Sequence, residues 1–438
     1  MEKKLSFSPP VVIASSFATL IFLGTVLMKL PFATTTPISW VDAFFLVTSA
    51  TTVTGLSVFD PGSTLTMFGE IVLLVLIQCG GIGLMTFAVA ILILLRKKIG
   101  LQHRIYLQES FNQPSIGGIV KLAKHILLFV LLTESIAIVF LTLHWIPRFG
   151  FGDALYYSLF HVISAFNNAG FSLFPDNLMG FTSDPLVILI ITSLIIIGGI
   201  GFVVVIDISR KNKFRAWSLH TKLMIVGTFI INAIATLILL ILEFNNNDTI
   251  GKMGIFEKMM TSYFNAVTPR TAGFNMIDYG QMEDPSLLFT MLLMFIGAGS
   301  ASTASGIKLT TFIVIIAATF AFFRQQEDPV LFKRSISREI IIRSLVISTV
   351  SLATVFIFAF ALTITEQLPL LPLLFEVFSA FGTVGISMGI TSQLSELGKV
   401  FICVLMFLGR IGPLTLFFIL TKPKKVKYKY PNDQVFTG

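Results

Sequence analysis

Along the chain, apolar runs of about 20 residues alternate with shorter apolar runs of about 12, and each shorter run closes on a small polar stretch centred on glycine. The long runs lie near 11–30, 120–146, 219–243 and 340–364, and again near 67–95, 185–207, 286–323 and 397–421. Each is long enough to cross a bilayer as a helix. The short runs, such as 40–51 and 153–166, are not. They fit re-entrant helices that enter the membrane and turn back. Asp42, Asp153 and Glu376 are expected near the starts of these short helices, where the positive end of the helix dipole favours a carboxylate.

The pattern repeats. Polar turns recur around Gly55, Gly170, Gly273 and Gly385, each just over a hundred residues from the last. Ten residues before each glycine stands an aromatic: Phe45, Phe160, Tyr263 and Phe375. Three copies carry Ser-Ala upstream, as Ser49-Ala50, Ser164-Ala165 and Ser379-Ala380, and the third has Val267-Thr268 instead. Downstream comes a second glycine cluster, at Gly80-Gly81-Ile82-Gly83, Gly198-Gly199-Ile200-Gly201, Gly297-Ala298-Gly299 and Gly409-Arg410-Ile411-Gly412. The units are 11–95, 120–207, 219–323 and 340–421, followed by a tail at 422–438. The expected architecture is an all-α membrane protein of four pseudo-fourfold-related repeats. Each repeat is a helix, a re-entrant pore helix, a filter loop and a second helix, giving about eight transmembrane helices around a central pore.

Composition agrees with that class. Hydrophobic residues make up 55% of the 438 and charged residues only 12%, with a mean hydropathy of +0.88. A soluble domain carries roughly a quarter charged residues. The net charge of +8 does not indicate nucleic-acid binding, because most Lys and Arg sit in short stretches between whole units, such as 96–98, 210–215 and 333–343. By the positive-inside rule both ends of every unit, and both termini, face the cytoplasm. The loops within units carry Asp60, Asp176, Asp278 and Glu283 among other carboxylates, so the glycine turns approach from the outer side beneath an acidic rim. The first span lacks a following small-residue cleavage site and reads as uncleaved. Cys79 and Cys403 lie in apolar runs and form no disulfide or metal pattern.

Non-helical backbone at membrane depth is tolerated only where protein or a water-filled cavity surrounds it. Four such turns meeting on one axis would make a short pore lined by peptide oxygens, which can replace the hydration shell of a monovalent cation. The candidate turns are Thr52, Val53, Thr54 and Gly55; Asn167, Asn168, Ala169 and Gly170; Arg270, Thr271, Ala272 and Gly273; and Gly382, Thr383, Val384 and Gly385. None contains a carboxylate, which disfavours a divalent-selective ring. Arg270 is read as an anchor that bonds neighbouring carbonyls or an outer carboxylate, since a charge on the axis would repel a cation. Glu134, inside the apolar run 126–143, is read as a satisfied buried carboxyl, or as a support for a filter segment.

With Ser49-Ala50-Thr51-Thr52-Val53-Thr54-Gly55, Ser164 to Phe171, Thr268 to Asn275 and Phe378 to Gly385, the chain resembles the Trk/Ktr/HKT superfamily of potassium-translocating proteins. The likeness is greatest to the bacterial Ktr membrane subunit (KtrB-like). It extends over nearly the whole chain. It implies transported K⁺ held at Val53, Thr54, Asn168, Ala169, Thr271, Ala272, Thr383 and Val384. In that family serine in place of the first filter glycine accompanies sodium preference, so Gly55 implies potassium. The resemblance further implies Na⁺ as an activating ion, a homodimer of membrane subunits, and a cytosolic nucleotide-binding (ATP/ADP) regulatory ring as partner. It places the protein in the plasma (inner) membrane of a bacterium.

The third unit departs from the rest. Residues 297–306 read GAGSASTASG, followed by Ile307 and Lys308, inside an otherwise apolar run. So many glycines and hydroxyl residues make a continuous helix costly. A broken helix with a flexible mid-membrane loop is expected, with Gly297, Gly299, Ser300, Ser302, Thr303, Ser305, Gly306 and Lys308 as candidate gate residues. Arg410 joins them. An arginine deep in an apolar span is a functional candidate by default, and in the resembled family the matching arginine belongs to the gate.

No nucleotide-binding loop, zinc-protease motif or nucleophile elbow appears, so the chain is not read as an enzyme. The alternative function is a carrier, a Na⁺- or H⁺-coupled K⁺ symporter. Carriers with inverted repeats show opposite charge bias in their halves, whereas every unit here begins and ends on the basic side. A third alternative is the ion-conducting subunit of a potassium pump, which normally carries extra spans.

Overall fold

The computed structural model describes residues 9–83, 118–211, 213–300 and 302–412, together with a few isolated positions between and beyond them. The expected continuations of the spans to 95 and 421, and nearly all of the tail 422–438, lie outside the described residues.

The chain is helical almost throughout. Among the described residues, four helices are long and apolar enough to cross a membrane: α1 (Pro9–Met28), α4 (Ile119–Phe149), α8 (Leu219–Glu243) and α12 (Arg338–Thr365). They carry exposed apolar side chains such as Phe22, Leu131, Phe229 and Phe356 on their outer faces. A soluble protein would bury such residues, and a bilayer solvates them. Each long helix is followed by a short one: α2 (Trp40–Thr52), α5 (Phe151–Phe166), α9 (Ile255–Val267) and α13 (Leu370–Gly382). Thirteen residues, the length of α2, α9 and α13, extend only about 20 Å, too little for a hydrocarbon core of about 30 Å.

Local chemistry sets the ends of the short helices. The Ser39 hydroxyl accepts from Asp42 N at 3.0 Å and opens α2, with the Asp42 carboxylate in the first turn. Asp153 stands in the first turn of α5. Glu376 does not follow this rule. It lies mid-helix in α13, fully buried, and accepts a hydrogen bond from Thr391 Oγ1 at 2.6 Å. The apolar run ahead of it is helical from Leu370, so the helix starts earlier than its carboxylate implies.

The second helices are α3 (Met67–Ile82), α6 (Pro185–Gly199), α10 (Asp284–Phe295) and α14 (Glu396–Ile411). The sequence alone treats 185–207 as one continuous span. In the structure α6 stops at Gly199, and α7 (Phe202–Arg210) leaves at 91°. The hinge is Gly201, at φ 103 and ψ 131. Gly83 after α3 and Gly412 after α14 share nearly the same angles, φ 90 and ψ 131. Positive φ of this kind is open to glycine and hardly to other residues. The break in the third unit is longer: α10 ends at Phe295 and α11 (Leu309–Phe323) begins only after a loop. A small hairpin, β1 (Val330–Leu331) with β2 (Arg334–Ser335), connects α11 to α12.

The packing is cyclic. α3 packs on α5, α6 on α9, α10 on α13, and α14 returns to pack on α2. Each second helix therefore supports the short helix that follows it in the ring, and the last supports the first. All four polar turns are thereby held near one axis.

Candidate functional site

Each short helix ends in the same way. Val53, Asn168, Thr271 and Thr383 all have positive φ, at 58, 58, 80 and 48. Two residues later Gly55, Gly170, Gly273 and Gly385 are also positive, at 99, 69, 79 and 94. The residues between, Thr54, Ala169, Ala272 and Val384, are not. Alternation of left- and right-handed backbone turns successive carbonyls to one side of the strand and successive N–H groups to the other. A non-glycine residue in the left-handed region costs of order 1–3 kcal/mol and persists only where the surroundings impose it.

Those surroundings are the N–H partners. Val53 N donates to Ala50 O (3.1 Å) and Thr54 N to Ser49 O (2.8 Å), while Gly55 N donates to the Ser49 hydroxyl (3.0 Å). The fourth turn repeats the set: Thr383 N to Ala380 O (3.1 Å), Val384 N to Ser379 O (2.8 Å), and Gly385 N to the Ser379 hydroxyl (3.1 Å). In the second turn Asn168 N and Ala169 N donate to Ala165 O and Ser164 O, and the Ser164 hydroxyl donates onward to Phe171 O at 2.7 Å. The serine of each Ser-Ala pair is thus the pin that ties the turn to its helix. The third turn is one residue tighter. Ala272 N returns to Thr268 O (2.9 Å), and the Thr268 hydroxyl reaches Phe274 O (2.6 Å) in the manner of Ser164. The odd Val267-Thr268 pair keeps the hydroxyl and shifts it by one position.

The four turns also approach one another closely. A methyl group built on Gly55 would collide with Ala169 O, and one on Gly170 would meet Gly273 Cα at 2.6 Å and Ala272 O at 2.8 Å. At Gly273 it would collide with Val384 O, and at Gly385 with Thr54 O. Each turn therefore abuts the next, and the fourth closes on the first. Thr54, Ala169, Ala272 and Val384 supply the carbonyls at these junctions. This close approach is the reason for glycine at all four positions.

Side chains brace the ring from behind. The Thr52 hydroxyl donates to Thr48 O (2.7 Å), so the Thr54 hydroxyl, 2.7 Å away, is the donor in their mutual bond. The Asn168 amide meets the Thr271 hydroxyl at 3.2 Å and links turns two and three. Arg270 is buried. It donates to Asn232 Oδ1 (3.1 Å) and Gly297 O (3.4 Å), one side-chain amide and one backbone carbonyl, with no carboxylate partner among the described residues. Gly382 closes α13, where a methyl group would meet Met294 O at 2.6 Å. Gln78, which drew no attention in the sequence, donates to both Glu134 oxygens (3.1 Å each) and accepts from Asn167 Nδ2 (2.6 Å). A lone amide two residues before a glycine pair in an apolar run was the available signal.

On one side of the ring lies a cavity of about 510 Å³, lined by Gly55, Gly170, Asn275 and Gly385 and carrying Asp60, Asp176 and Asp278. Carboxylates around a concave mouth raise the local cation concentration.

On the other side lies the loop between α10 and α11. Its neck is closed by a β-bridge between Ile296 and Ile307 and by Leu309 N donating to Ala298 O at 3.0 Å. Ser302 Oγ donates to Gly299 O (2.7 Å), and Lys308 Nζ donates back to Ala304 O (2.9 Å). Gly299 N and Thr303 N donate to Gly199 O (2.7 Å) and Gly198 O (3.3 Å). The Thr303 hydroxyl reaches Phe166 O (3.4 Å) at the end of α5. Arg410 Nη1 donates to Thr303 O and to Ser305 Oγ (3.2 Å), and its Nη2 donates to Gly80 O and Gly81 O (3.3 Å). Gly297 would collide with Ser305 O if it carried a methyl group. Gly306 has φ +68, and Ser300 lies in a turn.

These partners have one physical origin. A helix leaves its last four carbonyls unpaired. Because α3 stops before Gly83 and α6 before Gly201, the carbonyls of Gly80, Gly81, Gly198 and Gly199 are free to receive the Arg410 guanidinium and the loop N–H groups. A cation is also favoured at a helix C-terminus by the dipole. Among the described residues, Arg270, Lys308 and Arg410 have no carboxylate partner. The described residues of 297–308 are thus tied by hydrogen bonds to the ends of α5 and α6 and to Arg410.

Comparison with known proteins places this arrangement. The family described as "TrkH: Cation transport protein" matches residues 7–429. The chain is 54% identical over 436 residues to "Ktr system potassium uptake protein B" of Bacillus subtilis, covering 100% of this chain and 98% of that protein. It is 40% identical over 431 residues to the protein of the same name from Vibrio alginolyticus, covering 98% and 95%. It is 36% identical over 449 residues to "Potassium/sodium uptake protein NtpJ" of Enterococcus hirae, covering 100% and 99%. The crystal structure of the potassium transporter TrkH from Vibrio parahaemolyticus shares the fold, with a TM-score of 0.77 and 18% identity over 96% of this chain and 86% of that one. The family is one of membrane transporters and not of enzymes, and this chain is a member of the TrkH family of cation transport proteins.

Proposed function

We propose that the chain is the ion-translocating membrane subunit of a bacterial potassium uptake system, conducting K⁺ in a channel-like manner. A dehydrated ion passes between the carbonyls of Val53, Thr54, Asn168, Ala169, Thr271, Ala272, Thr383 and Val384. The observation that carries this reading is the closed sequence of glycine contacts, in which turn one abuts two, two abuts three, three abuts four and four abuts one. Carbonyls converging from four directions replace the water shell of a monovalent cation, and the acidic outer cavity feeds them. The relatives named as potassium uptake proteins support the choice of ion.

The loop 297–308 and Arg410 form the gate. They cross the path at the base of the ring and add fixed positive charge that no carboxylate among the described residues neutralises. Opening requires the Arg410 bonds to Thr303 and Gly80 to be exchanged for others. A cytosolic nucleotide-binding ring drives that exchange, and two membrane subunits associate as a homodimer. Both termini are cytoplasmic, on the side of the basic segments. Sodium acts as an activating ion, a role consonant with the potassium/sodium name of the Enterococcus relative.

The test is potassium uptake in a bacterial strain stripped of its own uptake systems, with and without the candidate ring subunit. Uptake that depends on the chain and is stimulated by the ring supports the reading. Flux that demands a fixed ratio of co-transported Na⁺ or H⁺ would replace the channel with a symporter.

A further inference from the structure

We infer that Glu134, Gln78 and Asn167 form a relay that positions the second filter turn, with Gln78 acting as a specificity-determining residue although it is not in any turn. The inference rests on the filter reading above and deepens it. Three elements meet here: Glu134 on α4, Gln78 on α3, and Asn167 at the end of α5. Glu134 is buried at 4% exposure and offers two acceptor oxygens. Both are taken by the Gln78 amide nitrogen, at 3.1 Å and 3.1 Å.

That pairing decides which way the Gln78 amide points. With its nitrogen spent on the carboxylate, its oxygen must face the opposite way, where it accepts from Asn167 Nδ2 at 2.6 Å. Asn167 Nδ2 also donates to Ile163 O (2.8 Å), so both protons of that nitrogen are used. The Asn167 amide is thereby held in one orientation, flat against Gly81, whose missing side chain leaves room for it. Asn167 is followed directly by Asn168 and Ala169, whose carbonyls are in the ring. A fixed amide at the head of the turn fixes the strain that follows it. Among the described residues the first turn shows no comparable chain and has the local Thr52–Thr54 hydroxyl pair instead. The second turn has no hydroxyl among Asn167, Asn168, Ala169 and Gly170 and takes its brace from two other helices.

The relay makes a directional demand that a merely packed side chain would not. Gln78→Glu is nearly isosteric and keeps an acceptor for Asn167, but it sets a carboxylate against Glu134. The discrimination of K⁺ over Na⁺ in uptake competition is expected to fall about tenfold, the scale of one unmade buried hydrogen bond, with maximal K⁺ flux changed less. The swap E134Q/Q78E restores the pattern in reverse. The amide nitrogen introduced on α4 then donates to the carboxylate introduced on α3, whose second oxygen still accepts from Asn167. Recovery of discrimination in the double variant, at expression levels equal to Gln78→Glu alone, is the expected result. If the double variant is no better than Gln78→Glu, or if Gln78→Glu retains full discrimination while Gly55→Ser loses it, the relay is overturned and the filter reading stands. If neither Gln78→Glu nor Gly55→Ser alters discrimination, the filter reading itself fails.

Discussion

The second helices of units two and three are interrupted at corresponding places, and the two interruptions do opposite things. In unit two the break is a single glycine hinge at Gly201, and the chain resumes at once as α7, turned aside by 91°. In unit three the helix gives way to a loop after Phe295, and its described residues bond to the end of α6 before α11 begins at Leu309. The hinge creates unpaired carbonyls, and the loop consumes them: Gly198 O and Gly199 O receive Thr303 N and Gly299 N. The break at Gly83 does the same for Arg410 through Gly80 and Gly81. A glycine break in one helix is thus the docking site for a broken helix next door. The bonds that hold the loop therefore come from all four units, Arg410 of the last among them, and not from unit three alone.

The comparison can be broken most severely by removing the loop. Deleting residues 298–305 takes away the loop and its donors, and K⁺ uptake without the ring subunit is expected to rise about tenfold. Unchanged uptake in whole cells would remove the gate assignment. Arg410→Gln is expected to act in the same direction and less strongly, because the loop keeps its bonds to Gly198 and Gly199. The readout is the ratio of uptake without the ring to uptake with it.

The ring responds differently. Gly55→Ser puts a side chain against Ala169 O at a φ of +99, and competition uptake should show several-fold poorer discrimination of K⁺ over Na⁺ with gating by the ring preserved. Selectivity equal to the parent would exclude turn one from the filter. Gly201→Ala addresses the hinge alone. It places a β-carbon at φ +103, at a cost of about 1–3 kcal/mol. Thermal unfolding in detergent should register the loss, while ungated uptake rises less than in the loop deletion. The smallest effect belongs to Ser379→Ala, which removes the pin on Gly385 N and costs about 1 kcal/mol. A modest drop in thermal stability, with a slight loss of discrimination, is expected.

Much of this was legible in the residues. The long helices, the short ones, the four glycine turns and the break after Phe295 follow from apolar run length and from clusters of glycine and hydroxyl residues. Bilayer thickness and helix propensity act locally on such patterns. Other features were present in the sequence without a reading. The Ser-Ala pairs were visible as a pattern, but only the hydrogen bonds to Gly55 N and Gly385 N explain them. Glu376 resembled a helix-start carboxylate and is a buried acceptor for Thr391. The second-helix glycines aligned well, yet a run as apolar as 185–207 gives no local reason to stop being helical.

Apolar run length and glycine clusters alone therefore fix most of the helices and the places of the four glycine turns, because bilayer thickness and helix propensity act on local stretches. What the tertiary structure decided is who meets whom. That Gly385 abuts Thr54, that Arg410 reaches Gly80, and that Gln78 bonds both Glu134 and Asn167 all depend on helices far apart in the chain packing side by side. Hydrogen bonds between them reward one arrangement of the bundle and leave no mark on any single stretch of residues.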